Sequence, residues 1–342
     1  MQEALFWTKK DKNVQCILCP RKCIIPENLT GYCGVRKNVN GKLHSLVYGK
    51  LCAINIDPIE KKPLFMFAPG TQCLSIATVG CNLGCKFCQN WEISHPPEKE
   101  VFGENVTPER VVDMGKELPG IAYTYTEPTI MFEFAYDVMK LAKKSGLYNV
   151  WVSNGYTNPE PIKLLSKFMD AINVDYKGDE NFYKRVCDAR LEPVQNALKL
   201  YKRLGVWIEV TNLVIPGYND DKNIILEMVR WIRENLGRET PLHFSAYYPA
   251  YKMTAPPTPV ETLEKAAKIA DEYLDYVYIG NVRHERENTF CPKCKTMLIK
   301  RIGFFVEKFY LKRKNSKFLC PNCGHSIPIA GAKWIEKLSK AH

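Results

Sequence analysis

Residues 77–91 read ATVGCNLGCKFCQNW and place Cys81, Cys85 and Cys88 within eight positions, separated by three and then two residues. A disulfide does not need such crowding, and a tetrahedral zinc site asks for four ligands. Iron–sulfur clusters take cysteine thiolates, normally one per iron, so three cysteines on one loop hold three corners of a four-iron cube. The fourth iron then stays open, and an open position separates a reactive metal site from a structural one. A small molecule carrying an amine and a carboxylate could chelate it.

The chain has fourteen cysteines in 342 residues, and in a reducing compartment that number argues for metal thiolates over disulfides. Two further groups stand out. Cys291, Cys294, Cys320 and Cys323 form paired CPKC and CPNC knuckles with 25 residues between the pairs, a pattern that predicts a zinc ribbon or a rubredoxin-like iron. Cys16, Cys19, Cys23 and Cys33 follow a C-x2-C-x3-C-x9-C spacing, which suits a second zinc or an auxiliary iron–sulfur cluster. Cys52, Cys73 and Cys187 stand alone and read as small buried hydrophobes.

The elements that position the triplet are legible between residues 71 and 285. CLSIATV, GIAYTYT, NVWVSNG, AINVDYKG, GVWIEVTNLVI and LHFSAYYP read as six strands, alternating with amphipathic helices that close at Gly146 and Gly237. Strand–helix alternation predicts an α/β fold with a parallel sheet and right-handed crossovers. Polar residues fall at successive strand ends: Glu127, Ser153 and Asn154, Asp175 and Lys177, then Thr211 and Asn212. A mouth ringed by strand ends favours a partial (β/α)6 TIM-like barrel over an open doubly wound sheet. In AINVDYKG, Asn173, Asp175 and Lys177 share one face, which needs partners or a ligand inside the barrel. The predicted organisation is a cysteine-rich segment over 1–70, the barrel over 71–285, and a basic zinc-ribbon-like domain over 286–342.

The charge is uneven. Residues 286–342 carry thirteen Lys and Arg against three Asp and Glu, which is +10 of the net +11. That asymmetry points to an acidic partner, such as RNA, or to a solvated surface. No apolar run approaches membrane-spanning length and no signal-peptide core opens the chain, so no membrane role and a cytoplasmic location are expected.

C-x3-C-x2-C after a first barrel strand, with Phe87 before the last cysteine, resembles the signature of the radical S-adenosylmethionine (SAM) superfamily. The resemblance implies a [4Fe–4S] cluster on Cys81, Cys85 and Cys88 whose open iron chelates SAM. It also implies a one-electron donor and a 5′-deoxyadenosyl radical that abstracts hydrogen from a substrate. YTEPT, VSNG, VDYKG and LVIPGYNDD are similar to stretches of pyruvate formate-lyase (glycyl radical) activating enzymes. By that likeness Phe87, Glu127, Ser153, Asn154, Asp175 and Lys177 contact SAM, with Glu127 accepting from its ammonium. CILCPRKC, GYCGVR, DPIEKKPLFMF, GCNLGCKFCQNWEIS, YIGNV and the terminal knuckles together resemble the radical enzymes of the AmmeMemoRadiSam system, which implies Memo-type and AMMECR-type partners.

The resulting expectation is a radical SAM enzyme acting on a protein. An RNA-modifying enzyme guided by the basic ribbon is the alternative, and a metal-binding interaction module conflicts with buried charge at strand ends. Tyr123, Tyr125, Cys187, His243 and Tyr247 are candidates to restore or quench the hydrogen atom, with none singled out.

Overall fold

Alternating apolar strands and one-sided helices assemble, in the computed structural model, into one eight-stranded sheet; the structure describes residues 1–96, 100–315 and 317–339. Numbered in chain order within that sheet, the strands are β1 (Ala53–Pro58), β2 (Gln72–Ala77), β3 (Gly120–Tyr123), β4 (Tyr148–Ser153), β5 (Ala171–Asp175), β6 (Trp207–Val214), β7 (Leu242–Ala246) and β8 (Val277–Gly280). Their order is sequential, β2 to β8 are parallel, and β1 pairs antiparallel with β2 from Ala53↔Ala77 to Pro58↔Gln72. Sequential parallel order leaves no point at which the winding reverses, so this is not a doubly wound sheet.

The sheet has two strands more than the six that the sequence pattern predicts. β8 is short and follows the Val260–Asp271 helix closely, and β1 lies in a region where no regular period is legible. Two small three-stranded sheets also occupy that region, built from Gln2–Glu3, Arg36–Val39 and Lys42–Ser45, and from Trp7–Lys10, Asn13–Cys16 and Ile24–Ile25. GIAYTYT does not run as one strand to Glu127. β3 stops at Tyr123, Tyr125 turns the chain at φ 65°, and Glu127 caps a 3-10 turn over Pro128–Met131.

One face of the sheet packs on the helices through residues such as Leu74, Ile76, Ile121, Ile172 and Val174. The other face is crossed by residues 59–68. Asn173 Nδ2 donates to Pro63 O at 2.8 Å, and the Glu209 carboxylate accepts from Phe65 N and Met66 N at 2.9 and 2.8 Å. Buried Glu209 also accepts from Trp207 Nε1 and pairs with His243 Nε2 at 2.7 Å, so its oxygens are fully used.

The C-terminal region is clamped to this floor. Arg301, with no exposed side-chain surface, faces Glu60 at 3.4 Å and donates to Phe65 O at 2.7 Å. Trp334, on the Ala332–Ser339 helix, packs on Phe67 and Tyr148 and donates to Gly146 O at 3.1 Å. Gly146 and Tyr148 lie at the start of β4, so this docking occupies the N-terminal ends of the strands.

Candidate functional site

At the opposite, C-terminal ends of the strands lies a cavity of about 500 Å³, within the range of cofactor sites. Cys81, Cys85, Cys88, Phe87, Glu127, Ser153, Asn154, Asp175 and Lys177 all line it. The strand order brings together nine residues spread over 97 positions of sequence. Leu213 reaches the cavity where Thr211 and Asn212 do not; Asn212 Nδ2 donates to Tyr176 O instead.

The triplet loop leaves β2 through Gly80, whose φ of 100° suits glycine; a Cβ there would stand 2.8 Å from Cys33 O. Gly84 N and Lys86 N donate to Cys187 O and Val186 O, fixing the loop to the segment after the Glu180–Val186 helix. Asn82, wholly buried, donates to Tyr156 O and accepts from Asn154 Nδ2, both at 2.8 Å. Asn154 Nδ2 also lies 3.7 Å from Cys81 Sγ, so this residue addresses the Cys81 thiol as well as the cavity.

Burial pushes the Cys81 thiol well up, with the Glu127 charge adding to it, and burial raises Cys88 too. Cys85 moves the other way, chiefly through a hydrogen bond from Cys187, which sequence reading leaves as a lone core thiol. Three clustered thiols with a buried hydrogen-bond donor beside them, bordering a cavity of cofactor size, fit a cluster with one open corner.

Glu127 is buried and accepts three hydrogen bonds: Thr129 N and Ser153 Oγ to Oε1, both at 2.9 Å, and Asn154 N to Oε2 at 2.8 Å. A carboxylate offers about four acceptor sites, so one remains on Oε2. Burial raises the Glu127 pKa against these bonds, and a cation there would reverse that. Ser153 Oγ accepts from Gly155 N while donating to Glu127, so its hydroxyl is spent on positioning. Lys177 Nζ sits 2.8 Å from the half-exposed Asp175 carboxylate and 5.6 Å from the Phe87 ring centroid. Burial opposes its charge, yet Asp175 and the Cys85 and Cys187 thiols together hold the ammonium well above its usual range.

Sequence reading missed Lys61, Lys62 and His95 as cavity residues. Lys62, almost wholly buried, pairs with Asp57 at 2.7 Å, and the Tyr125 hydroxyl donates to the same carboxylate. His95 stacks on Tyr251, which stacks on Trp91. The DPIEKKPL stretch carries the signal, but no local period shows that it folds back across the sheet. Of the hydrogen-donor candidates only Tyr125 lines the cavity. Tyr123 donates to Asn149, Tyr247 to Met253 O, and His243 is held by Glu209.

The C-terminal cysteines form a second centre. Cys291–Cys323 and Cys294–Cys320 sulfurs are 3.7 and 3.5 Å apart, and all four lie within 4.8 Å of one another. A tetrahedron with metal–sulfur bonds of about 2.3 Å has edges of roughly 3.8 Å, so these thiols fit one ion. Hydrogen bonds involving Thr296 pull Cys294 down to about 5. Among the described residues no other group of three or more metal-ligating side chains gathers so tightly, and the four N-terminal cysteines do not.

Comparison with known proteins agrees with this geometry. The family model described as the Radical SAM superfamily matches residues 75–232. The uncharacterized protein MJ0808 of Methanocaldococcus jannaschii is 50% identical over 335 residues, covering 96% of this chain and 99% of that protein. The pyruvate formate-lyase-activating enzyme of Clostridium pasteurianum is 23% identical over 166 residues, covering 45% of this chain and 66% of the enzyme. A structure of TYW1 with a lysine-pyruvate adduct bound aligns at TM-score 0.48 and 19% identity, over 68% of this chain and 86% of that one. The family match begins within β2 and takes in both the triplet and every strand end that lines the cavity; residues 75–232 of this chain form a radical SAM superfamily domain.

Proposed function

We propose that Cys81, Cys85 and Cys88 hold a [4Fe–4S] cluster, that SAM occupies the adjoining cavity, and that the hydrogen abstracted belongs to a protein substrate. The observation that carries this reading is the convergence of nine expected residues on one cavity. When bound and reduced, the cluster supplies one electron that splits the SAM sulfonium into methionine and a 5′-deoxyadenosyl radical. The remaining acceptor site of Glu127 takes the methionine ammonium, and buried Asn154 donates to Cys81 Sγ. Lys177, held by Asp175 beneath Phe87, addresses the carboxylate and ribose region. The singly wound sheet supports a partial barrel, with residues 1–70 adding an edge strand and 286–342 a zinc ribbon.

A protein substrate follows from the likeness to an activating enzyme. The AmmeMemoRadiSam resemblance adds Memo-type and AMMECR-type proteins as partners, in the cytoplasm. The test is anaerobic reconstitution with iron and sulfide, reduction, addition of SAM and measurement of 5′-deoxyadenosine. Production by the parent and none by a Cys81→Ala, Cys85→Ala, Cys88→Ala variant is expected; none from a parent holding a reduced four-iron cluster overturns it.

One observation favours an RNA substrate as a second reading. The Lys312–Lys314 strand is exposed on the same region as exposed Phe304, Phe305 and Tyr310, a mixture of cations and stacking rings that suits single strands. The ribbon docks at the floor, however, away from the cavity. RNA affinity that falls steeply with salt and is lost on Lys312→Glu supports this reading; salt-insensitive binding refutes it.

A further inference from the structure

We propose that Cys16, Cys19, Cys23 and Cys33 bind a second, four-iron iron–sulfur cluster packed against the loop that carries Cys81, Cys85 and Cys88. The four come together through a small β-structure. Cys16 ends the Asn13–Cys16 strand, and its N–H donates to Cys23 O at 3.0 Å, closing the turn that holds Cys19. Cys23 Sγ lies 3.6 Å from where a Cβ on Gly31 would stand, two residues before Cys33. Lys22 N donates to Cys19 O at 3.2 Å and Gly34 N to Gly31 O at 3.0 Å, so Cys19 and Cys33 each sit in a tight turn, the second of them beside Cys23.

The spacing of their sulfurs separates one ion from a cluster. A single tetrahedral ion draws four sulfurs to the distances seen in the ribbon, 3.5 to 3.7 Å. In a four-iron cube each iron takes its own thiolate, so the sulfurs stand farther apart. The N-terminal four, like the triplet, are not gathered within the 4.8 Å that encloses the ribbon's ligands.

Arg36 is a second, independent observation. It is 2% exposed, and two of its nitrogens pair with Glu133 at 3.0 and 2.8 Å, one of them also donating to Leu5 O. Its Nε is buried without a hydrogen-bond partner, and its charge acts on both Cys16 and Cys33. An unpaired buried N–H is destabilising, and a cluster sulfur is an acceptor that would satisfy it.

The site also touches the triplet loop. Arg21, between Cys19 and Cys23, donates through Nε to Asn82 O, the residue after Cys81, while its guanidinium lies 3.3 Å from the Tyr32 ring centroid. Cys33 O and Val35 Cγ1, each 2.8 Å from where a Cβ would stand, leave no room for a side chain at Gly80. The two cysteine groups therefore share one wall.

The test is made on the full chain, reconstituted anaerobically with iron and sulfide. Acid-labile sulfide is the readout, because a single ion in the ribbon contributes none. The Cys81→Ala, Cys85→Ala, Cys88→Ala variant should retain about four irons and four sulfides beyond any ribbon metal, and show a reduced-cluster electron paramagnetic resonance (EPR) signal. Cys19→Ala with Cys23→Ala, both half-buried, should in the otherwise intact chain halve the parent's sulfide with unchanged far-ultraviolet dichroism. A triplet variant that is folded yet lacks sulfide, or that carries a second zinc instead, overturns the assignment. So does full sulfide in the Cys19/Cys23 variant. Neither result depends on SAM cleavage, so this inference and the proposed function fail separately.

Discussion

Replacing Glu127 by glutamine changes one atom and tests the central contact of the cavity. The amide oxygen can keep the bonds from Thr129 N and Ser153 Oγ, both 2.9 Å from Oε1. The amide nitrogen then faces Asn154 N–H, which Oε2 accepts at 2.8 Å, and donor meets donor. One buried N–H is left unpaired, at about 1–3 kcal/mol of folding stability. The same substitution deletes the free acceptor site assigned to the methionine ammonium. A hydrogen bond to a charged group contributes about 1.5–3 kcal/mol, so SAM should bind roughly ten- to a hundredfold more weakly. Anaerobic equilibrium dialysis of SAM against reconstituted protein reads this directly, with iron content confirming an intact cluster. Glu127→Gln protein that holds full iron and binds SAM as tightly as the parent would refute the assignment of Glu127.

Four further outcomes follow from the geometry. Asn154→Ala removes the donor 3.7 Å from Cys81 Sγ, so a redox titration should show a more negative potential for the triplet cluster. Trp334→Ala empties a buried site between Phe67 and Tyr148 and should cost about 3–5 kcal/mol by denaturant unfolding, leaving 5′-deoxyadenosine formation in place. Cys291→Ser should lose one metal equivalent per chain by elemental analysis, since four sulfurs within 4.8 Å share it. Burial, opposed by Arg301, pushes Glu60 from its ordinary 4.5 up to about 6. The unfolded carboxyl therefore ionises first, and this stability, present below pH 4.5, is lost as pH rises through 6, by about 2 kcal/mol. The melting temperature of the parent relative to Glu60→Gln, whose side chain stays neutral throughout, should fall as pH rises over that range; a relative rise contradicts the sign.

Much of the site was legible because its chemistry sits at regular places. Strand ends recur with the strand–helix period, and the triplet is contiguous, so nine cavity residues could be named from spacing and resemblance. What escaped depends on long-range folding. Lys61 and Lys62 reach the cavity only because residues 59–68 cross the sheet face, pinned by Asn173 and Glu209 far along the chain. Cys187 reads as a lone thiol because its partner Cys85 is a hundred positions away. β1 was hidden because a strand buried irregularly at a sheet edge, in the pattern i-i-e-e-B-i, shows no alternation. Glu127 was placed at a strand end, whereas the left-handed Tyr125 ends the strand early and makes Glu127 a cap. Alternation alone does not reveal such a turn at a non-glycine residue.

The most direct test of the account is the EPR spectrum of the reduced, reconstituted protein before and after SAM is added, in a Cys19→Ala, Cys23→Ala background that isolates the triplet. An open iron beside Glu127 and Lys177 predicts that SAM shifts the g values of a single four-iron signal, and that Cys85→Ala abolishes that signal. A four-iron signal from the triplet that SAM leaves unmoved, at concentrations where dialysis shows SAM bound, would contradict it.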